Sequence, residues 1–104
     1  MNGAFLETWV VTEILKSYWH NGRRAPLFYY RDHDLKEVDL LIQQDNQLFP
    51  IEIKQTAHPA TSGIRHFQAL ATTGMSIGPG ALICLTGMRL PLNAQVQAIA
   101  VAAL

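Results

Sequence analysis

The stretch Pro50-Ile51-Glu52-Ile53-Lys54 sets an acid two positions before a lysine in an otherwise apolar segment. A second acid, Asp39, lies in a similar setting, Glu37-Val38-Asp39-Leu40-Leu41-Ile42. Side chains on a strand alternate between faces, so Glu52 and Lys54 share one face while Ile51 and Ile53 take the other. If the chain turns about Asp45-Asn46, paired positions sum to 91, which sets Asp39 opposite Glu52 and Glu37 opposite Lys54. Opposed residues on antiparallel strands have Cβ atoms roughly 4.5 to 5.5 Å apart, and like charges there are destabilising unless something compensates. A divalent cation would compensate: Mg²⁺ prefers carboxylate oxygens and keeps waters that can hydrolyse. Lys54 then stands beside the site as a cation able to steady developing charge or position a water. The plainer reading makes Glu37, Asp39, Glu52 and Lys54 the solvated face of an exposed hairpin. Register decides between the two, since a slip of one residue turns the strand over.

A further acid, Glu7, falls in residues 4–20, which read as a helix. Leu6, Val10, Ile14 and Tyr18 recur at helical spacing, and Asn21-Gly22 supplies the stop. Helical steps from Glu7 lead to Val10, Val11, Ile14 and Tyr18, so its carboxylate is expected along the face that meets the sheet. A buried unpaired carboxylate is costly. Glu7 therefore either pairs with a cation such as Arg31 or joins the acids at the sheet, and the residues alone weigh these equally.

The elements that must position these groups follow from turn and periodicity signals. Residues 27–30 read as a first strand, Arg31-Asp32-His33-Asp34 as a turn, residues 37–42 as a second strand and residues 48–54 as a third, together an antiparallel meander. His33 belongs to that turn rather than to a metal site. Beyond His58-Pro59, Thr61 or Ser62 is expected to cap a helix with Ile64, Phe67, Leu70 and Ala71 on one face, ending near Gly74. Residues 80–86 form a continuous apolar run, which suits a strand buried on both faces, and residues 96–101 read as the last strand. The order is αβββαβ(β), in one domain spanning residues 1–104. Trp9 and Trp19 are read as packing residues.

At 104 residues, with 49% apolar and 15% charged side chains, the chain supports one packed core. Its formal net charge is zero, which weighs against tight autonomous DNA binding, because nucleic-acid binders draw most of their non-specific affinity from a basic surplus. The lone cysteine, Cys84, excludes an internal disulfide and reads as a small core hydrophobe, in keeping with a reducing compartment. The first residues, from Met1-Asn2-Gly3 onward, lack a charged and apolar leader, and no apolar run is long enough to span a bilayer. A soluble cytoplasmic protein without a membrane partner is expected.

Four segments carry a family resemblance: Gly3-Ala4-Phe5-Leu6-Glu7-Thr8-Trp9-Val10, Tyr29-Tyr30-Arg31-Asp32, Lys36-Glu37-Val38-Asp39-Leu40-Leu41-Ile42 and Pro50-Ile51-Glu52-Ile53-Lys54. In them the chain resembles the uncharacterised domain at the C-terminus of many bacterial and archaeal AAA+ ATPases, a domain assigned to the PD-(D/E)xK nuclease superfamily. The resemblance implies a restriction-endonuclease-like three-layer α/β core, a mixed sheet flanked by helices. It also implies Mg²⁺ or Mn²⁺ held by Asp39, Glu52, the backbone carbonyl of Ile53 and Glu7, with Lys54 as catalytic lysine and DNA as substrate. Superfamily members often carry a polar residue on the second core helix, for which Arg65, His66 and Gln68 are the candidates. No Gly-x-x-x-x-Gly-Lys-[Ser/Thr] occurs, so the ATPase module that normally shares the chain is missing, and the sequence looks like the C-terminal piece of a larger ATPase. A homodimer is an admissible assembly. Two functions follow: a metal-dependent nuclease, or a non-catalytic module of nuclease-like fold that serves protein interaction or regulation of the ATPase.

Overall fold

Asp45 and Asn46 both take positive φ, 53° and 62°, the conformation of a two-residue type I′ hairpin whose twist matches that of its strands. This turn organises the first half of the computed structural model, which describes residues 3–104. Met1 and Asn2, the start of the stretch read above as leaderless, lie outside the described residues. Three strands, β1 (Leu27–Arg31), β2 (Glu37–Gln44) and β3 (Gln47–Ile53), form the expected antiparallel meander. The β2–β3 partners run from Gln44↔Gln47 to Leu40↔Ile51, each pair summing to 91 as the sequence predicts. The β1–β2 connection is a turn as well: both Asp34 and Lys36 amides donate to Asp32 Oδ1, at 2.9 and 3.0 Å.

Against β1, β2 carries one residue too many. Phe28 pairs with Leu41 and Tyr30 with Val38, so two steps on β1 match three on β2, and the surplus falls at Asp39-Leu40. A bulge of this kind bends the strand and re-aims its side chains. Its effect shows in the core: Val38 and Leu41, three positions apart, join one apolar cluster while Leu40 joins the other.

The second half adds β4 (Ser76–Ile77), β5 (Gly80–Cys84), β6 (Leu90–Pro91) and β7 (Val96–Ala100). The result is an α/β fold around a mixed seven-stranded sheet of order β1-β2-β3-β5-β7-β6, in which β4 pairs β3, and β3, β5 and β7 run parallel. Successive residues Leu82, Ile83 and Cys84 are all buried, with Leu82 and Ile83 in opposite clusters, so β5 is covered on both faces as its apolar run implies. The two-residue strands β4 and β6 carry no periodic signal and were not expected.

Helix α1 (Gly3–His20) closes one face through Leu6 and Val10, which pack with Leu40, Ile51, Ile53 and Ile83. It ends in a Schellman arrangement at Gly22 (φ 65°), where the Arg23 amide reaches the Tyr18 carbonyl and the Gly22 amide that of Trp19. The inward stripe is narrow, and Trp9 and Trp19 fall outside it, 37% and 61% exposed, which corrects their reading as packing residues.

The opposite face is covered by η1 (Thr61–Thr73), a 3₁₀ helix kinked at Ile64. Tight winding explains two departures from expectation. With three residues per turn, the buried stripe is every third residue, Ile64, Phe67 and Leu70, so Ala71 is left exposed. The N-cap is Ala60 without a side-chain hydrogen bond, so neither Thr61 nor Ser62 caps the helix. Gly74, in the left-handed conformation, ends it as predicted. Among the described residues no helix is long and apolar enough to cross a membrane.

Gly80 is tightly enclosed by β3 and η1: a Cβ there would stand 2.9 Å from the Pro50 carbonyl oxygen and 3.0 Å from the Phe67 ring. At Gly87 nothing lies within 4 Å. Gly80→Ala is expected to cost about 1–3 kcal/mol of unfolding free energy through overpacking, and Gly87→Ala less than about 0.5 kcal/mol. Urea denaturation of the two variants beside the parent checks this; equal midpoints would contradict it.

Candidate functional site

Where β2 bulges it also parts from β3. The backbone ladder stops at Leu40↔Ile51, and beyond it side chains take over. The Asp39 amide donates to Glu52 Oε1 at 3.1 Å, and the Ile53 amide donates to Asp39 Oδ2 at 2.8 Å. Each carboxylate thus accepts the amide that a neighbouring carbonyl would have served, and each is held in one orientation by that bond. The exchange brings the two acids together on adjacent strands, as the pairing arithmetic anticipates.

Lys54 follows β3 directly; its amide continues the parallel seam by donating to the Ile83 carbonyl at 3.0 Å. Its Nζ lies 3.8 Å from Glu52 Oε2. The side chain runs past Gly63 of η1, where a Cβ would stand 4.0 Å from Lys54 Cε. Glu37, Asp39, Glu52 and Lys54 therefore line one side of a cleft of about 190 Å³, and Ser62, Gly63, Arg65 and His66 of η1 line the other. The cleft sits at the C-terminal end of β3, where ligands of α/β sheets commonly bind. A cavity of about 590 Å³ opens at the other end of the parallel strands, but Arg89 is its sole ionisable lining residue and it holds no carboxylate.

The charges are unevenly satisfied. Glu37 pairs with Arg31, Nε to Oε1 at 3.4 Å, rather than standing opposite Lys54. Arg31 is thereby engaged and is not the partner of Glu7. Glu7 itself is exposed and outside the cleft lining, which corrects its placement on the inward face: the buried stripe follows Leu6 and Val10, and Glu7 lies about 100° round the helix from Leu6. It still senses the site. Partial desolvation, then the charges of Asp39 and Glu37, raise its carboxyl above the ordinary value.

Glu52 is the most perturbed acid. Burial, with the Asp39 carboxylate adding to it against the Asp39 amide and Lys54, pushes its carboxyl up to about 7. Without a cation, Glu52 thus titrates near neutrality. Among the described residues no three histidine, cysteine, aspartate or glutamate side chains are grouped to hold a metal ion; Asp39 and Glu52 offer a pair. Strand spacing nominates the acids and Lys54, and Arg65 and His66 were candidates by resemblance. Ser62 and Gly63 carry no local signal, because only the path of η1 brings them to the cleft.

The model of a family described as a domain of unknown function (DUF4143) matches residues 2–104. No curated protein and no solved structure matches the chain.

The raised Glu52 carboxyl makes stability depend on pH with a definite sign. Between about 4.5 and 7 the folded chain binds more protons than the unfolded one, so stability falls as pH rises through this window. The contribution is on the order of 3 kcal/mol. In chelator, urea melts at pH 5 and pH 8 are expected to show the loss in the parent. E52Q, which keeps the acceptor for the Asp39 amide, should show little beyond a residual slope from Glu7. An E52Q slope equal to that of the parent would refute the assignment.

Proposed function

The chain belongs to the DUF4143 family, commonly found at the C-terminus of AAA-type ATPases, and from that premise we propose that it is a PD-(D/E)xK-type, metal-dependent nuclease domain acting on DNA. The observation that carries the reading is the Asp39–Glu52 exchange, two carboxylates fixed by backbone amides with Lys54 Nζ 3.8 Å from one of them. The antiparallel meander followed by a parallel strand, with helices on both faces, is compatible with a restriction-endonuclease-like core.

The donor set fits Mg²⁺ or Mn²⁺. Hard divalent ions of phosphoryl-transfer sites take one or two carboxylates and keep several waters, and the pair here consists of carboxylate oxygens. Asp39, Glu52 and the carbonyl of Ile53 would hold the ion, with exposed Glu7 acting from the border through charge or through a water. Such an ion supplies Lewis-acid polarisation of the phosphate and a bound water of lowered pKa. The protein's own groups do the rest. The amide bonds to Asp39 and Glu52 keep both acids aimed into the cleft, so little reorganisation accompanies binding of a charge. Lys54, tethered along Gly63, offers its ammonium to the charge that develops on the phosphate or to the attacking water. The ATPase partner would be the module that family members carry in the same chain.

A second reading, a non-catalytic module that docks on or regulates the ATPase, is favoured by the zero net charge and by the exposure of Phe5, Trp9 and Trp19 on α1.

Cleavage of plasmid and oligonucleotide DNA with Mn²⁺ separates the two. The nuclease reading expects activity that falls by at least about a hundredfold in Lys54→Ala. It also expects the ion to stabilise the fold, by roughly 2.7 kcal/mol at a hundred times Kd, and Asp39→Ala or Glu52→Ala to remove that gain. Absence of cleavage together with absence of Mn²⁺ binding at millimolar concentration would leave the docking module as the function.

A further inference from the structure

The two walls of the cleft differ in character. The strands contribute three acids, Glu37, Asp39 and Glu52, whereas η1 contributes a cation and an imidazole, Arg65 and His66. Arg65 lines this acidic cleft yet forms no ion pair among the described residues; its Nη1 donates instead to the Ser62 carbonyl at 3.2 Å, which holds the guanidinium on the η1 side.

His66 is fixed more tightly. Its Nδ1 lies 3.3 Å from both the amide nitrogen and the carbonyl oxygen of Glu37. In the neutral ring with its hydrogen on Nε2, the Glu37 amide donates to bare Nδ1; with its hydrogen on Nδ1, that N–H donates to the Glu37 carbonyl. In the imidazolium, Nδ1–H donates to the Glu37 carbonyl and Nε2 still carries a hydrogen. Each form is anchored by one residue of β2, and Nε2, a donor in the Nε2–H tautomer and in the imidazolium, has no hydrogen-bond partner among the described residues. The ring is thus half-buried and held in one orientation by Glu37, with Nε2 turned away from that contact.

We infer that Arg65 and His66 form a phosphate-contacting subsite on η1, facing the acids across the cleft, which takes the non-bridging oxygens of a nucleic-acid backbone phosphate. The ligand class rests on the nuclease reading. A guanidinium and an imidazole N–H are the groups that bind phosphate oxygens by charge-assisted hydrogen bonds, and carboxylates are the groups that repel them. A phosphate therefore seats with its anionic oxygens toward η1 and Lys54 while the acid pair stays free for a cation. Because the subsite contacts phosphate and not base, it is indifferent to sequence.

The test uses two probes, inorganic phosphate and an octathymidylate oligonucleotide with Ca²⁺, and follows the His66 imidazole nitrogens by NMR alongside oligonucleotide affinity. Addition of either probe to the full chain should shift the Nε2 resonance. R65Q and H66N should each weaken oligonucleotide binding about fivefold or more. R65Q should also reduce the slope of log affinity against log salt by about 0.7, one phosphate contact on a single strand. H66Q, which restores an N–H near the Nε2 position, should bind better than H66N. Melting curves verify that each variant is folded. Parent-like binding by R65Q and H66N, or an unmoved Nε2 resonance with both probes, overturns the subsite. A chain that binds through Arg65 and His66 yet cleaves nothing with Mn²⁺ refutes the nuclease and leaves the subsite standing. Lys54-dependent cleavage that is indifferent to R65Q and H66N refutes the subsite alone.

Discussion

Two backbone amides left without carbonyl partners, those of Asp39 and Ile53, govern the chemistry of this domain, because each recruits a carboxylate from the other strand. An unpaired amide in a half-buried sheet costs of the order of a hydrogen bond's desolvation, roughly 1–3 kcal/mol. The surplus residue in β2 creates that deficit by turning the strand away from β3, and the acids satisfy it. The arrangement has a second consequence: the carboxylates now face each other in a site that disfavours two negative charges. Local backbone satisfaction is thus obtained at the expense of electrostatic tension, and the tension is relieved by a proton on Glu52, by Lys54, or by a bound cation.

The 3₁₀ helix is the counterpart of the bulge on the other side of the cleft. Beyond the kink at Ile64 its threefold winding stacks Phe67 and Leu70 into a row that packs, with Ile64, against Leu82 and Val96, and sets His66 and Ala69 into a neighbouring row. An α-helix would offset residues three apart by about 60°, so His66 and Ala69 would not share one line. Apolar packing of one row thereby positions the polar groups of the next.

Sequence reasoning succeeded where a local rule operates without competition. The hairpin register follows from a two-residue turn, and with it the approach of Asp39 to Glu52; the ends of both long helices follow from Gly22 and Gly74 in left-handed backbone. It failed where a rule depends on the partner. The bulge cannot be read from β2 alone, since it exists only relative to β1, and strict alternation would have sent Val38 to the α1 face. The difference between 3.0 and 3.6 residues per turn shifts only Ala71 within the apolar pattern, too little to reveal the winding. Glu7 was placed by counting its apolar neighbours, but the face that docks is chosen by Leu6 and Val10, leaving Glu7 on the rim and Trp9 and Trp19 outside.

The rim position of Glu7 bears on how the acids work together. Its carboxyl is raised first by partial desolvation and then by the charges of Asp39 and Glu37, although it lies outside the cleft. A cation placed between Asp39 and Glu52 would offset the part of that effect that comes from Asp39. Glu37 is shielded from this by Arg31, and Lys54 moderates Glu52 from the other side. The acid pair is consequently a centre of compensated charge whose occupant contributes, beside desolvation, to the protonation of a carboxyl on another element. That coupling needs no movement of α1, only the short distances that the bulge in β2 imposes.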